Sequence, residues 1–214
     1  FVLCRTEPGS QRHHGLSFLL VPLDQEGVEI RPIEQLTGGS EFNEVFFTGA
    51  RTDAGLVVGA PGEGWQVAMA LLGFERGVSV LAQVVGFARE LDGVVELAKA
   101  NGAIEDPLLR DRLAGLKVEL EVLRQQAMRG LSSADAAGPS VFKLVWANWH
   151  RRLGEVAMDV LGPAGLTTAE PKGYHLDRWQ RLFLFSRADT IYGGSDEVQR
   201  NILAERVLGL PREA

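Results

Sequence analysis

Gly55-Leu56-Val57-Val58-Gly59-Ala60-Pro61-Gly62-Glu63-Gly64 separates two halves of this chain that are written in different periods. Glycine and proline dominate the stretch, as they do in connections that must turn sharply. Upstream, Leu16, Phe18 and Leu20 alternate with Ser17, Leu19 and Val21, and the run closes at Pro22-Leu23-Asp24. Gln25-Glu26-Gly27 reads as a turn, after which Val28 and Ile30 alternate with Glu29 and Arg31. Phe42, Val45, Phe46 and Phe47 form another apolar run between Gly38-Gly39 and Gly49. Period two bounded by turn residues predicts short antiparallel strands over 1–58. No βαβ spacing occurs, so a dinucleotide-binding Rossmann unit is not expected.

Downstream, from Trp65, the period becomes helical. A first helix is predicted over 64–100, with Val67, Leu71, Leu72, Val78, Ala82, Val85 and Ala88 as its apolar stripe, ended by Asn101-Gly102. Asp106-Pro107 starts a second, with Asp as N-cap and Pro in the first turn. Leu109, Leu113, Leu116, Leu120 and Leu123 recur along it at helical spacing. A third helix follows Gly138-Pro139-Ser140 and runs to Leu161, where Gly162-Pro163-Ala164-Gly165 breaks it. A fourth, short helix is predicted over 179–190. The fold class is therefore α+β: antiparallel strands of a partial β-barrel or sandwich domain (1–58), then an antiparallel four-helix bundle domain (59–214).

The chain has 214 residues, enough for a real core, and a net charge of −6, so it offers no basic field to nucleic acid or anionic lipid. A single cysteine, Cys4, excludes an internal disulfide framework and reads as a strand residue. The four histidines, His13, His14, His150 and His175, show no metal-ligand spacing. No apolar run is long enough to span a membrane, and a cytoplasmic location is expected. The opening Phe1-Val2-Leu3-Cys4-Arg5 reads as mid-strand rather than as a signal peptide, which suggests a fragment.

Two places could carry chemistry. Glu75 shares a helix face with Leu71 and Leu72, near the small residues Ser79 and Ala82. A carboxylate on such a face is either paired with a basic residue of another helix or kept for use, and desolvation would make it a stronger base. The second place is Thr190-Ile191-Tyr192-Gly193-Gly194-Ser195-Asp196-Glu197-Val198-Gln199-Arg200-Asn201. It reads as a glycine turn feeding a helix with Ser195 as N-cap and two acids in the first turn, stopped by Gly209 and Pro211. It is either a capped surface helix or a turn that brings bare backbone N–H groups to a ligand. Asp159, Asp177 and Asp189 read as caps or surface charges. Trp146 and Trp149 read as core or interface, and Arg5, Arg110 and Arg112 as surface residues.

The whole chain resembles the acyl-CoA dehydrogenases. Arg5-Thr6-Glu7-Pro8-Gly9, Gly15-Leu16-Ser17-Phe18, Gly27-Val28-Glu29-Ile30-Arg31-Pro32-Ile33 and Phe42-Asn43-Glu44-Val45-Phe46-Phe47 resemble strands of that family's middle β-domain. Gly62-Glu63-Gly64-Trp65-Gln66-Val67-Ala68-Met69 resembles the start of its C-terminal helical domain. Ile191-Tyr192-Gly193-Gly194-Ser195, Glu197-Val198-Gln199-Arg200-Asn201 and Ala204-Glu205-Arg206-Val207-Leu208-Gly209-Leu210-Pro211 resemble its C-terminal signature. Nothing here resembles the family's N-terminal helical domain or the first half of its β-domain, which implies a truncated chain or a partial gene model.

The resemblance implies an FAD-dependent oxidoreductase of fatty acid β-oxidation. It takes an acyl-CoA to the trans-2-enoyl-CoA and passes electrons to an electron-transfer flavoprotein, as a homo- or heterotetramer. Many members carry the catalytic Glu where Gly193 stands. Those resembling the isovaleryl and long-chain enzymes carry it on the first C-terminal helix, at the position of Glu75. The resemblance thus implies Glu75 as base, a Gly193 N–H toward the thioester oxygen, Arg76 and Gly194 at the substrate, and Ser195 and Glu197 at the adenosine side of FAD. Two family motifs are replaced here. Asn101-Gly102-Ala103-Ile104-Glu105 stands where the family has an arginine and Phe-Gly that reach a neighbouring subunit's FAD, and Asp159 with Gly162-Pro163 stands for a Gln and paired glycines. These departures imply either a subgroup with altered FAD contacts or reduced or lost FAD binding, and the missing β-domain half implies weak FAD binding by this fragment alone. The alternative function is a catalytically silent assembly subunit of a heteromeric acyl-CoA dehydrogenase.

Overall fold

The computed structural model describes residues 1–78, 80–132, 138–168 and 174–212, with the side chains of 74–78, 80, 131 and 132 outside that description. The described chain falls into two compact units, Phe1–Gln35 with Gly39–Val78, and Leu36–Gly38 with Ser79–Ala214.

The first unit carries the strands. β1 (Val2–Arg5) pairs antiparallel with β2 (Leu16–Leu19), β3 (Val28–Ile33) with β4 (Phe42–Phe47), and the short β5 (Val57–Val58) adds to the free edge of β2. The result is a three-stranded and a two-stranded sheet, and no closed barrel forms among the described strands. The Gly/Pro-rich connection is more ordered than its composition suggests. Asp53 caps a 3-10 turn, Ala54–Leu56, that delivers Val57 to the sheet. The loop between β1 and β2 is clasped by Arg5, whose guanidinium donates to the carbonyls of Ser10, Arg12 and His14 at 2.9 Å each. Helix α1 (Gly64–Val78) starts against β2, and a Cβ on Gly64 would lie 2.4 Å from the Phe18 amide nitrogen. Only glycine permits that approach. Ser17 is buried. Its hydroxyl lies 2.6 Å from that of Thr6 and accepts from the Gly62 N–H at 2.9 Å.

The second unit is helical: α2 (Val80–Asn101), α3 (Pro107–Ser132), α4 (Gly138–Leu161), α5 (Arg178–Phe185) and α6 (Asp196–Ile202). The helix expected over 64–100 is thus described as α1 and α2, on either side of residue 79. The core of α2 is Val84, Phe87, Leu91, Val94 and Ala98, while Leu72 and Val85, assigned to the stripe from sequence, are exposed. The leucine run of α3 is buried as its spacing requires, at Leu113, Leu116, Leu120 and Leu123, and Asp106 caps the Leu108 N–H at 2.8 Å. Helix α4 contributes Phe142, Trp146, Trp149, Leu153, Val156 and Val160. Asp177 and Gln180 form a reciprocal capping box that starts α5. No described helix is long and apolar enough to cross a membrane.

Candidate functional site

The terminal glycine turn sits among hydrogen-bonded polar side chains of the helical unit. After α5 the chain makes a 3-10 turn, Ala188–Thr190, and the Ile191 and Tyr192 N–H groups both donate to the Ala188 carbonyl. Gly193 (φ 64°) and Gly194 (φ 92°) then reverse the backbone into α6, where the Ser195 hydroxyl accepts from the Val198 N–H at 3.4 Å. The two glycines differ. A Cβ on Gly194 would meet the Gln199 amide at 2.5 Å, whereas a Cβ on Gly193 would meet only Lys143 Cε, at 3.6 Å. Positive φ favours glycine at both positions; a side chain at 194 would also have to displace the Gln199 amide, whereas at 193 there is room. Among the described residues neither the Gly193 nor the Gly194 N–H has a hydrogen-bond acceptor. Gly193 is exposed. Its carbonyl accepts from Gln199 Nε2 at 3.1 Å.

Beneath this turn lies a cluster of charged residues. Asp189, read from sequence as a cap or surface charge, is 1 % exposed. Its Oδ2 lies 2.5 Å from His150 Nδ1 and its Oδ1 accepts from the Tyr192 hydroxyl at 2.5 Å. The other ring nitrogen of His150 lies 2.9 Å from Glu90 Oε2. Burial alone would push the imidazole pKa down. The hydrogen bonds of Asp189 and Glu90, and then their charges, outweigh it and raise the pKa to about 9. The ring is therefore an imidazolium at neutral pH, donating from both nitrogens. Lys143, also buried, donates to the Asp189 carbonyl, with Trp146 and Tyr192 rings 4.8 and 5.7 Å from its ammonium. Burial lowers the Lys143 pKa, and Asp196 and Asp189 oppose that shift. Asp196 accepts from Asn148 at 2.7 Å through Oδ2, while its buried Oδ1 has no partner among the described residues.

The other candidates are placed as follows. Glu75 and Arg76 lie on α1, in the strand-bearing unit, with side chains outside the described residues. Ser195 and Glu197 share the first turn of α6. The Glu197 carboxylate is fully exposed, and its own backbone N–H, then the Ser195 hydroxyl, hold its pKa below the usual range. An exposed, ionised carboxylate beside a hydroxyl fits a sugar hydroxyl donor and repels a phosphate. Asp159 is paired with Arg112 at 2.6 Å on the outer surface of α4 and α3, so both are surface charges. Asn101 is occupied too: its Nδ2 donates to the Val160 carbonyl and its Oδ1 accepts from the Ala103 N–H. No metal-binding cluster occurs among the described residues.

Sequence reasoning missed Lys143, His150 and Asp189 as a group. A signal was present: Lys143 and His150 fall on the same face of α4 as Trp146 and Leu153, polar residues within an otherwise apolar stripe.

The family model for the acyl-CoA dehydrogenase C-terminal domain matches residues 62–208. Acyl-CoA dehydrogenase IpdE1 of Mycolicibacterium smegmatis is 63 % identical over 213 residues, spanning all of this chain and 54 % of that protein. Among solved structures, the Tcur3481–Tcur3483 steroid ACAD superposes with a TM-score of 0.87 at 28 % identity, covering 99 % of this chain and 56 % of the other. The ChsE4–ChsE5 complex from Mycobacterium tuberculosis does so with a TM-score of 0.79 at 26 % identity, covering 99 % and 57 %. The chain thus spans about half the length of the relatives it matches.

Proposed function

The chain belongs to the acyl-CoA dehydrogenase family, and we propose that it serves the α,β-dehydrogenation of an acyl-CoA thioester to the trans-2-enoyl-CoA. The observation that carries this reading is the pair of acceptor-free N–H groups at Gly193 and Gly194, on a turn locked at positive φ. A proton α to a thioester is weakly acidic. Removing it requires a base of suitable pKa and donors aimed at the oxygen on which charge develops. In this reading the Gly193 N–H donates to the thioester oxygen, Gly194 lies against the acyl group, and Glu75 on α1 takes the α-proton, with Arg76 beside it at the substrate. The open space at Gly193 admits a bulky or branched acyl group where a carboxylate would otherwise stand. Ser195 and Glu197 hold the adenosine side of FAD through its sugar hydroxyls. Bound FAD supplies the acceptor for the hydride that leaves the β-carbon, and an electron-transfer flavoprotein takes the electrons onward.

A second reading is favoured by one observation: the structural relatives at 28 % and 26 % identity are the Tcur3481–Tcur3483 steroid ACAD and the ChsE4–ChsE5 complex. In that reading this chain is an assembly subunit of a heteromeric enzyme and completes a partner's site. Replacing Glu75→Gln in the complete protein separates the two. Loss of acyl-CoA-dependent reduction of bound flavin by about 10³-fold or more, with the flavin spectrum retained, supports Glu75 as base. Unchanged reduction removes Glu75 from the chemistry, and a purified complete protein without flavin absorbance favours the assembly role.

A further inference from the structure

The N–H of Gly193 belongs to the Tyr192–Gly193 peptide, and that peptide is fixed from both sides. Downstream, Gln199 Nε2 holds the Gly193 carbonyl at 3.1 Å. Upstream, Tyr192 is tied by its backbone N–H to the Ala188 carbonyl at 3.0 Å and by its hydroxyl to Asp189 Oδ1 at 2.5 Å. Asp189 is itself immobilised by His150 through its carboxylate and by Lys143 through its carbonyl. His150 is held in turn by Glu90 on α2, 60 residues earlier in sequence.

A two-glycine turn has large intrinsic backbone freedom, and an oxyanion donor is useful only if held in place before charge develops. We propose that Glu90, His150, Asp189 and Tyr192 form a positioning chain that aims the Tyr192–Gly193 peptide N–H at the thioester oxygen. The inference rests on the oxyanion role given above to Gly193. None of the four touches the reacting atoms; each acts through the next, and Tyr192 is the link to the turn. The imidazolium of His150 suits this task because it donates to two carboxylates on two different elements at once, which a neutral ring cannot. Lys143 adds a second anchor from the same helix, one that fixes the backbone and not the carboxylate of Asp189.

The decisive variant is Tyr192→Phe in the complete protein. It deletes one hydroxyl on a side chain that is 38 % exposed and keeps the ring. Hydrogen exchange of the Ile191 and Tyr192 amides, which donate to the Ala188 carbonyl just before the two glycines, is followed by mass spectrometry, alongside flavin reduction by acyl-CoA and the unfolding midpoint. The expected result is faster exchange confined to the turn, a reduction rate about tenfold lower, unchanged thioester affinity and an unchanged midpoint. His150→Gln, which keeps one donor, should give the same exchange pattern and a larger rate loss. Equal exchange in both variants and the parent overturns the proposal, and so does faster exchange with an unaltered reduction rate. If the parent protein itself binds FAD and acyl-CoA but does not reduce the flavin, the dehydrogenase reading fails. The exchange comparison alone then decides whether the chain holds the turn.

Discussion

The two buried faces of α4 make an instructive pair. Toward α3 the helix presents Trp149, fully buried, with the indole N–H donating to the Leu116 carbonyl at 2.9 Å. Toward the glycine turn it presents Lys143 and His150, 8 % and 6 % exposed, committed to Asp189 and Glu90. Both faces exclude water. The first stabilises by apolar area removed from solvent, which is indifferent to pH. The second holds charges that are tolerable only while each finds its partner, and its contribution depends on protonation. One helix thus carries a permanent attachment on one side and a conditional one on the other.

That contrast breaks most visibly at Trp149. Trp149→Ala should lower stability by about 3–5 kcal/mol, by the same amount at pH 6 and pH 9, in chemical denaturation. A loss below about 1 kcal/mol would mean that the α3–α4 contact is not the permanent attachment described. The conditional side is next in size. The folded pKa of His150, about 9, lies above its ordinary value of 6.5. Its stabilisation is therefore complete below pH 6.5 and is lost as pH rises through 9, on the order of 3 kcal/mol in all. Burial lowers the Lys143 pKa, so that group changes stability in the opposite sense as pH rises. The difference between the parent and His150→Gln across pH 6–10, rather than either curve alone, isolates the imidazole. A difference that stays constant over this range would show that the ring is not the charged link. The smallest effect belongs to the exposed rim of α4. Arg152 pairs with Glu119 on α3 at 2.5 and 3.0 Å, but their side chains are 45 % and 40 % exposed. Arg152→Ala should cost no more than about 1 kcal/mol, and less in 0.5 M salt. Scanning calorimetry at two salt concentrations checks this.

Local periodicity explains what could be read in advance. The leucine run of α3, the Asp106 cap, the strands β2, β3 and β4 and the change of period near Gly64 are patterns within a dozen residues, and each forms as written. The apolar stripe of α2 was placed beside its true position, because alanine and valine are frequent on both faces and only packing against α3 and α4 selects Val84, Phe87 and Leu91. The glycine turn was legible as a turn with a Ser195 cap. Its support was not, because His150 meets Asp189 across 39 residues and Glu90 across 60. Such an arrangement has no period. Only the misfit of a lysine and a histidine within an apolar face announces it.

The β3–β4 hairpin carries a different consequence. Phe42, Val45, Phe46 and Phe47 are all exposed on it, with Ile30 and Ile33 across the ladder, and the two strands pair only with each other among the described residues. Unpaired strand edges flanked by apolar side chains are templates for further strands. A preparation of these 214 residues by themselves should thus lose material by intermolecular β-association. A lysine or proline placed on the open edge of β4, where no ladder bond is forfeited, is the substitution by which such a preparation would be kept in solution.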